Sequence, residues 1–350
     1  MSDQKPVPSP KGQFLLGHMT QFKEDILAFN RRMVKEYPEI VHVKLGPLPI
    51  YHVYDPDLIR EVLVKQAANF PKADIGLHIM SKGLGNGLVT SEGDFHKKQR
   101  KLMQPAFHHK RVQAYGEIMV DYTQRHLANW RDGQTRDINN EMMRLTMFIV
   151  AKALFDSDMG EVGGVTVAAH AIASNQEWME KEFWLGFKMP AWIPTRGNRT
   201  IKQNNQDLAA VLQPIIDERR VDGRIEDKGD LLSMLLIAAE EEDMQLSDQQ
   251  LMDEVVTLFS AGHETTSNAL TWALYLLSQH PEAAEKLKQE LDTILNGRLP
   301  TMADLPNLTY TEMVLKEAMR LLPPVWSLIF RQAQEDANIG GYPIPKGGSV

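Results

Sequence analysis

The sequence predicts a mainly α fold with a small β-sheet, an α+β arrangement in which helices carry most of the core. Apolar residues recur at helical spacing over most of the chain beyond residue 56, and one early segment alternates apolar and polar residues around a turn. One periodic stretch is long enough to cross a whole domain. Composition agrees: 43% of the 350 residues are hydrophobic and 24% charged, which excludes disorder, collagen-like repeats and coiled coil. Read as a single domain over 1–350, a chain of this size buries about 75% of its unfolded surface and needs no cross-links.

The amino-terminal segment, Met1 to Gly17, is polar and proline-dotted, without the basic stretch and apolar core of a signal peptide. Glu39 to Asp55 alternates around Gly46-Pro47 and predicts a hairpin. Asp55-Pro56 opens a helix, with an acceptor at the cap and proline in the first turn. Periodicity predicts helices over 96–104, 110–130, 137–155, 200–220 and 230–240, with a glycine-rich loop from Gly83 to Gly93. Ser247 and Gln250 have capping-box spacing, and Leu251, Val255, Leu258, Leu270, Leu274 and Leu277 continue a helix to about Gln279. That helix is roughly 48 Å long. His280-Pro281 begins another, and a further helix runs from about Asn307 to Leu322, stopped by Pro323-Pro324. Val325 to Arg331 reads as a strand, and Lys346 to Val350 as the start of one more.

Several function classes fall away at once. With 38 basic and 46 acidic side chains the net charge is −8, which argues against nucleic acid as a partner. No run of about eighteen apolar residues occurs, so no transmembrane anchor is expected and the cytoplasm is the default location. Cysteine is absent, which removes disulfides, thiolate nucleophiles and cysteine-ligated metals from these residues.

Three constellations carry chemistry. Midway along the long helix stands Ala261-Gly262-His263-Glu264-Thr265-Thr266-Ser267. Glycine there admits something close to the backbone, and the hydroxyls can bond back to carbonyls four residues earlier; a kinked core helix with satisfied hydroxyls is the plain alternative. The run nearly matches the zinc-binding H-E-x-x-H, but Ser267 stands where the second histidine is needed, so zinc is rejected. The second constellation is Glu317 and Arg320, one helix face apart, which alone is no more than a surface pair. The third, Gly93-Asp94-Phe95-His96-Lys97-Lys98-Gln99-Arg100-Lys101, projects His96 and Arg100 together; both can donate to an anion, or belong to a solvated basic face.

In this order and spacing the pieces resemble a cytochrome P450: A-G-H-E-T-T in the central helix, E-x-x-R followed by R-L-L-P-P, G-D-F-H-x-x-Q-R-K-x-x-x-P-A-F, and the later G-Y-x-I-P-K-G. The resemblance runs from about residue 5 to the end. It implies a haem-dependent monooxygenase that inserts one oxygen atom of O2 into an apolar substrate such as a fatty acid or terpenoid. Electrons would come from a separate ferredoxin, flavodoxin or reductase-type donor. By matching position, Ala261 and Gly262 would lie over haem b, and Thr265 with Glu264 would form the alcohol–acid pair that supplies protons for O–O cleavage. His96, where the family often has tryptophan, Arg100 and Arg331 would hold the haem carboxylates. Glu317 and Arg320 would stabilise the fold. Trp178, Phe183, Trp184, Phe187 and Trp192, with Met179 and Met189, resemble the region lining the substrate entrance, or else are plain core.

One departure is large. The family ligates iron through a cysteine thiolate downstream of G-Y-x-I-P-K-G, and these residues hold none. The expectation is therefore a fold incomplete at its carboxyl end, a fragment whose axial ligand lies beyond residue 350 and which by itself does not hydroxylate. Two rivals stand beside this reading: a haem-free relative that binds a lipophile, and a peroxygenase using hydrogen peroxide. The Thr265–Glu264 pair favours the monooxygenase over both, because neither rival needs a proton relay.

Overall fold

The computed structural model describes residues 5–157, 164–185, 187–220, 225, 228–240 and 246–350. Two short helices come first, α1 (Met19–Glu24) and α2 (Ile26–Glu36), the second capped by the Asp25 carboxylate on the Ala28 N–H. Strands β1 (Ile40–Leu45) and β2 (Leu48–Val53) form the predicted antiparallel hairpin, with Leu45 opposite Leu48 across a two-residue turn. Gly46 has φ +61°, the positive value a tight hairpin turn asks of its first residue. Alternation places Val41, Val43 and Leu45 against Phe22, Phe29 and Met33, while Ile40 joins the opposite cluster around Phe70, Ile339 and Ile344.

The Asp55 side chain caps α3 (Pro56–Arg60), which passes directly into one π-helical turn. Helix α4 (Asp74–Leu84), absent from the periodicity reading, leads into a loop at 85–92 and then α5 (Gly93–Met103). The main helical body follows as α6 (His109–Leu127), α7 (Ile138–Phe155), α8 (Gly164–Phe183), α9 (Arg196–Arg219) and α10 (Leu231–Glu240). Through it runs α11 (Asp248–Gln279), an unbroken α-helix of 32 residues. Its amino end carries both hydrogen bonds of the Ser247–Gln250 capping box.

The largest core lies where α7 and α11 cross, with Met147, Ala151, Phe155, Leu251, Val255 and Phe259 buried against leucines of α9 and α10. Helices α12 (Pro281–Leu295) and α13 (Thr309–Leu321) follow, and they bury almost nothing: among the described residues α12 has no buried side chain and α13 only Ala318.

The expected strand at 325–331 does not form. Residues 325–330 take no regular structure, and only Arg331 and Gln332 make isolated bridges, to Lys72 and Ser349. A β-rich sequence needs a partner edge to become a strand, and here one is offered for a single residue at a time. The chain ends instead with a short hairpin, β3 (Ala337–Ile339) and β4 (Tyr342–Ile344), after which Ser349 bridges to Ile50 and Gln332.

Candidate active site

Helix α11 presents two sides around its midpoint. Ala261, Thr265 and Thr266 are exposed, one turn apart, whereas His263 and Ser267 are fully buried against α7. The Thr265 hydroxyl donates to the Ala261 carbonyl at 2.8 Å and Thr266 to Gly262 at 3.2 Å, the back-bonding their position predicts. The helix carries these bonds without interruption.

Gly262 lies against α7. A β-carbon there would meet Val150 Cγ2 at 3.1 Å, so the missing side chain lets α7 and α11 pack closely and does not clear space on the exposed side. The crossing is sealed by polar contacts as well: Thr146 Oγ1 donates to the His263 carbonyl at 3.0 Å. His263 donates through Nδ1 to Phe259 at 2.7 Å, and burial holds its imidazole below the ordinary histidine range.

Glu264 turns toward α8, where its carboxylate accepts a short hydrogen bond from Gln176 Nε2. Its neighbour Thr265 faces the exposed side, and no hydrogen bond joins the two. The acid and the alcohol are thus both present, each held by its own partner.

The basic constellation gathers more residues than the sequence announced. His96 Nδ1 lies 3.0 Å from the Leu88 carbonyl and 3.4 Å from Ser91 Oγ. Lys72, from the turn before α4, donates to the carbonyls of Val89 at 3.0 Å and Ser91 at 2.8 Å. It pairs across the chain with Arg331 through an isolated bridge. Burial, then Lys72, pushes the His96 imidazole down, with Arg100 adding to the effect. Burial likewise lowers Lys72, and Arg331 lowers it further. Against these four basic groups stands Glu92, 3.9 Å from Lys72. Arg331 Nε is buried without a partner. Basic groups gathered this closely, with an unanswered buried N–H among them, are the chemistry of an anion site, and the carboxylates of a haem fit it.

Glu317 and Arg320 do pair, at 2.7 and 2.6 Å, but both are more than half exposed, at 55% and 66%. The aromatic stretch divides. Phe183 stacks on Phe330 and Trp184 meets Phe22 edge-on, so these belong to the packing, while Leu185, Phe187 and Trp192 stay exposed. Beneath them sits a buried ion pair: Lys82 Nζ reaches both Glu182 oxygens at 2.6 and 2.7 Å, the Met189 carbonyl at 2.6 Å and Asn198 Oδ1 at 3.2 Å.

The family model for Cytochrome P450 matches residues 7–350. The chain belongs to the cytochrome P450 family. Cyclooctat-9-en-7-ol 5-monooxygenase of Streptomyces melanosporofaciens is 35% identical to this cytochrome P450 over 95% of the chain and 71% of its own length. Pentalenene oxygenase of Streptomyces avermitilis is 31% identical over 96% of the chain and 73% of its own length. Among solved structures, the crystal structure of the cytochrome P450DA heme domain superposes with a TM-score of 0.81, at 26% identity, covering 99% of this chain and 76% of that one. The mostly helical fold with small antiparallel sheets is the one the resemblance implied.

Sequence reading missed Lys72, Gln176 and the acidic pair Asp253-Glu254. Lys72 bridges to Arg331, 259 residues on, and Gln176 bonds Glu264, 88 residues on, and nothing local marks them. The acidic pair did leave a signal: two carboxylates inside the apolar run Leu251 to Phe259 should have asked for buried partners. Those partners are the N–H groups of Asn86, 2.8 Å from Asp253, and of Leu88, 2.9 Å from Glu254.

Proposed function

We propose that this cytochrome P450 is a haem-dependent monooxygenase acting on an apolar organic substrate, a terpenoid, fatty acid or similar lipophile, with electrons from a separate donor protein. The observation that carries the reading is the basic cluster of Lys72, His96, Arg100 and Arg331, with its buried, unpartnered Arg331 Nε. Bound there, haem would supply the oxygen chemistry. The protein's own residues would do the rest. Lys72, His96, Arg100 and Arg331 would hold the carboxylates, and Ala261 would leave the exposed side of α11 uncrowded. The Thr265 hydroxyl, now on the Ala261 carbonyl, can rotate to pass a proton, and Glu264 can replenish it once Gln176 lets it turn.

An axial thiolate would have to come from outside these 350 residues, which contain no cysteine. The apolar side chains left uncovered on α13, Met313, Leu315, Met319 and Leu321, support a further segment packing there. The isolated chain is then expected to be inactive. Among the described residues no helix is long and apolar enough to cross a membrane. The relatives' names, a cyclic alkenol monooxygenase and a pentalenene oxygenase, support a hydrocarbon-rich substrate. Exposed Lys98 and Lys101 on α5 suit an acidic electron donor.

The test is a Thr265→Ala variant of the full-length enzyme, supplied with reductant and donor. Reductant consumption should continue while product falls by about 10² or more. Unchanged coupling of electrons to product would remove Thr265 from the relay.

A further inference from the structure

The loop at 85–92 is held from two sides by opposite charge. On the α11 side, its N–H groups point at carboxylates: Asn86 N donates to Asp253 Oδ2 at 2.8 Å, and Leu88 N to Glu254 Oε2 at 2.9 Å. On the other side, its carbonyls face cationic or protic groups. Leu88 O meets His96 Nδ1 at 3.0 Å, and Val89 O and Ser91 O receive Lys72 Nζ. Leu88 is therefore held through both of its backbone groups, with Glu254 at its N–H and His96 at its C=O, so the carbonyl that His96 meets is fixed in place by the carboxylate on the residue's other side.

Glu254 is the group that fixes this arrangement. It is fully buried, a site where an acid side chain costs stability unless something needs it. Its Oε1 has no partner, and burial pushes the carboxyl up to about 7. Gly87 shows how closely the loop is seated on α11: a β-carbon there would lie 2.2 Å from Thr257 Oγ1. The consequence reaches the imidazole. With Nδ1–H committed to Leu88 O, the ring orientation is set, and it is as the imidazolium, with Nε2–H free to donate, that the ring meets an incoming anion.

We propose that Glu254 is a positioning residue for the anion site, acting through the backbone of Leu88 to orient His96 toward a haem carboxylate. The inference rests on the haem reading above. Glu254 touches neither the anion nor the exposed side of α11; it works by holding the residue whose carbonyl His96 leans on.

The experiment compares haem with its dimethyl ester, which keeps the ring and iron but lacks carboxylate charge. Both are titrated into the purified wild-type protein and into Glu254→Ala and Glu254→Gln, with circular dichroism confirming that each is folded. Wild type should prefer haem. Glu254→Ala should weaken haem binding about tenfold, as loss of a supporting partner commonly does. It should leave ester binding unchanged. Glu254→Gln, which keeps an oxygen for the Leu88 N–H, should retain the preference even if the alanine variant fails to fold. Equal losses on haem and ester, or none, in a variant that folds would overturn the role of Glu254 while leaving the haem site in place. Loss of the preference in a folded glutamine variant, which keeps an acceptor for the Leu88 N–H, would do the same. No preference for haem over ester in the wild type would overturn the haem-carboxylate reading itself, and this inference with it.

Discussion

The two halves of α11 have similar apolar content and opposite fates. Between Leu251 and Ser260 every residue is buried except Leu258, which is partly so, and the buried set includes Asp253 and Glu254. Between Asn268 and Gln279 only Ala273 is buried, and Trp272, Leu274 and Tyr275 are exposed. Hydropathy does not separate the halves. Neighbours do: α7, α9, α10 and the 85–92 loop enclose the first, whereas the second meets α12 and α13, which bury little of their own. A leucine at 274 and a glutamate at 254 are each on the side opposite to their type because burial is a property of the assembly.

The sharpest contrast should come from Phe259→Ala. Phe259 is wholly buried with its ring 6.2 Å from that of Phe155, and its removal should cost about 3–5 kcal/mol in denaturant unfolding. A cost below about 1 kcal/mol would mean the first half is looser than its burial implies.

Next in size is a pH effect. Burial raises the Glu254 carboxyl to about 7 from its usual 4.5. Between those values the folded chain holds a proton that the unfolded chain has lost, so stability falls as pH rises through 4.5 to 7. The unfolding free energy of wild type relative to Glu254→Gln should drop by roughly 3 kcal/mol across that interval. A flat difference would place the ionised carboxylate at ease in its site. Smaller again is Gly262→Ala, which presses a methyl onto Val150 and should destabilise by about 1–3 kcal/mol, read as a lower unfolding midpoint. Least of all is Tyr275→Ala: at 52% exposure it should change stability by less than about 0.5 kcal/mol. A much larger loss would show that the second half is covered in solution.

What the sequence made legible was whatever is decided within a few turns of chain. Ser247 and Gln250 mark the start of α11, and His280-Pro281 its end, because caps and prolines act on adjacent backbone. The hairpin at 40–53 follows from alternation and Gly46. Thr265, Glu264, His96 and Arg100 were proposed from motif positions that the family resemblance implies, and each pair lies within a single helix. Residues 325–330 failed because strand formation depends on an edge the sequence does not display. The contact of Gly262 with Val150 was not legible, since a glycine's motif does not say which side of the helix another element will occupy. Lys72, Gln176 and Glu254 join the site through partners 88 to 259 residues away, beyond the reach of any local pattern.

The Lys82–Glu182 pair also bears on the order in which this chain can be built. Lys82 and Glu182 are 7% and 8% exposed, and the ligands of the ammonium come from residues 182, 189 and 198. During synthesis the lysine therefore emerges more than a hundred residues before its last partner, Asn198, exists. It must stay in water for that interval, because burying it alone costs several kcal/mol. Docking of α4 thus waits for α8 and the start of α9, and a nascent chain halted before residue 182 should leave this region open to protease.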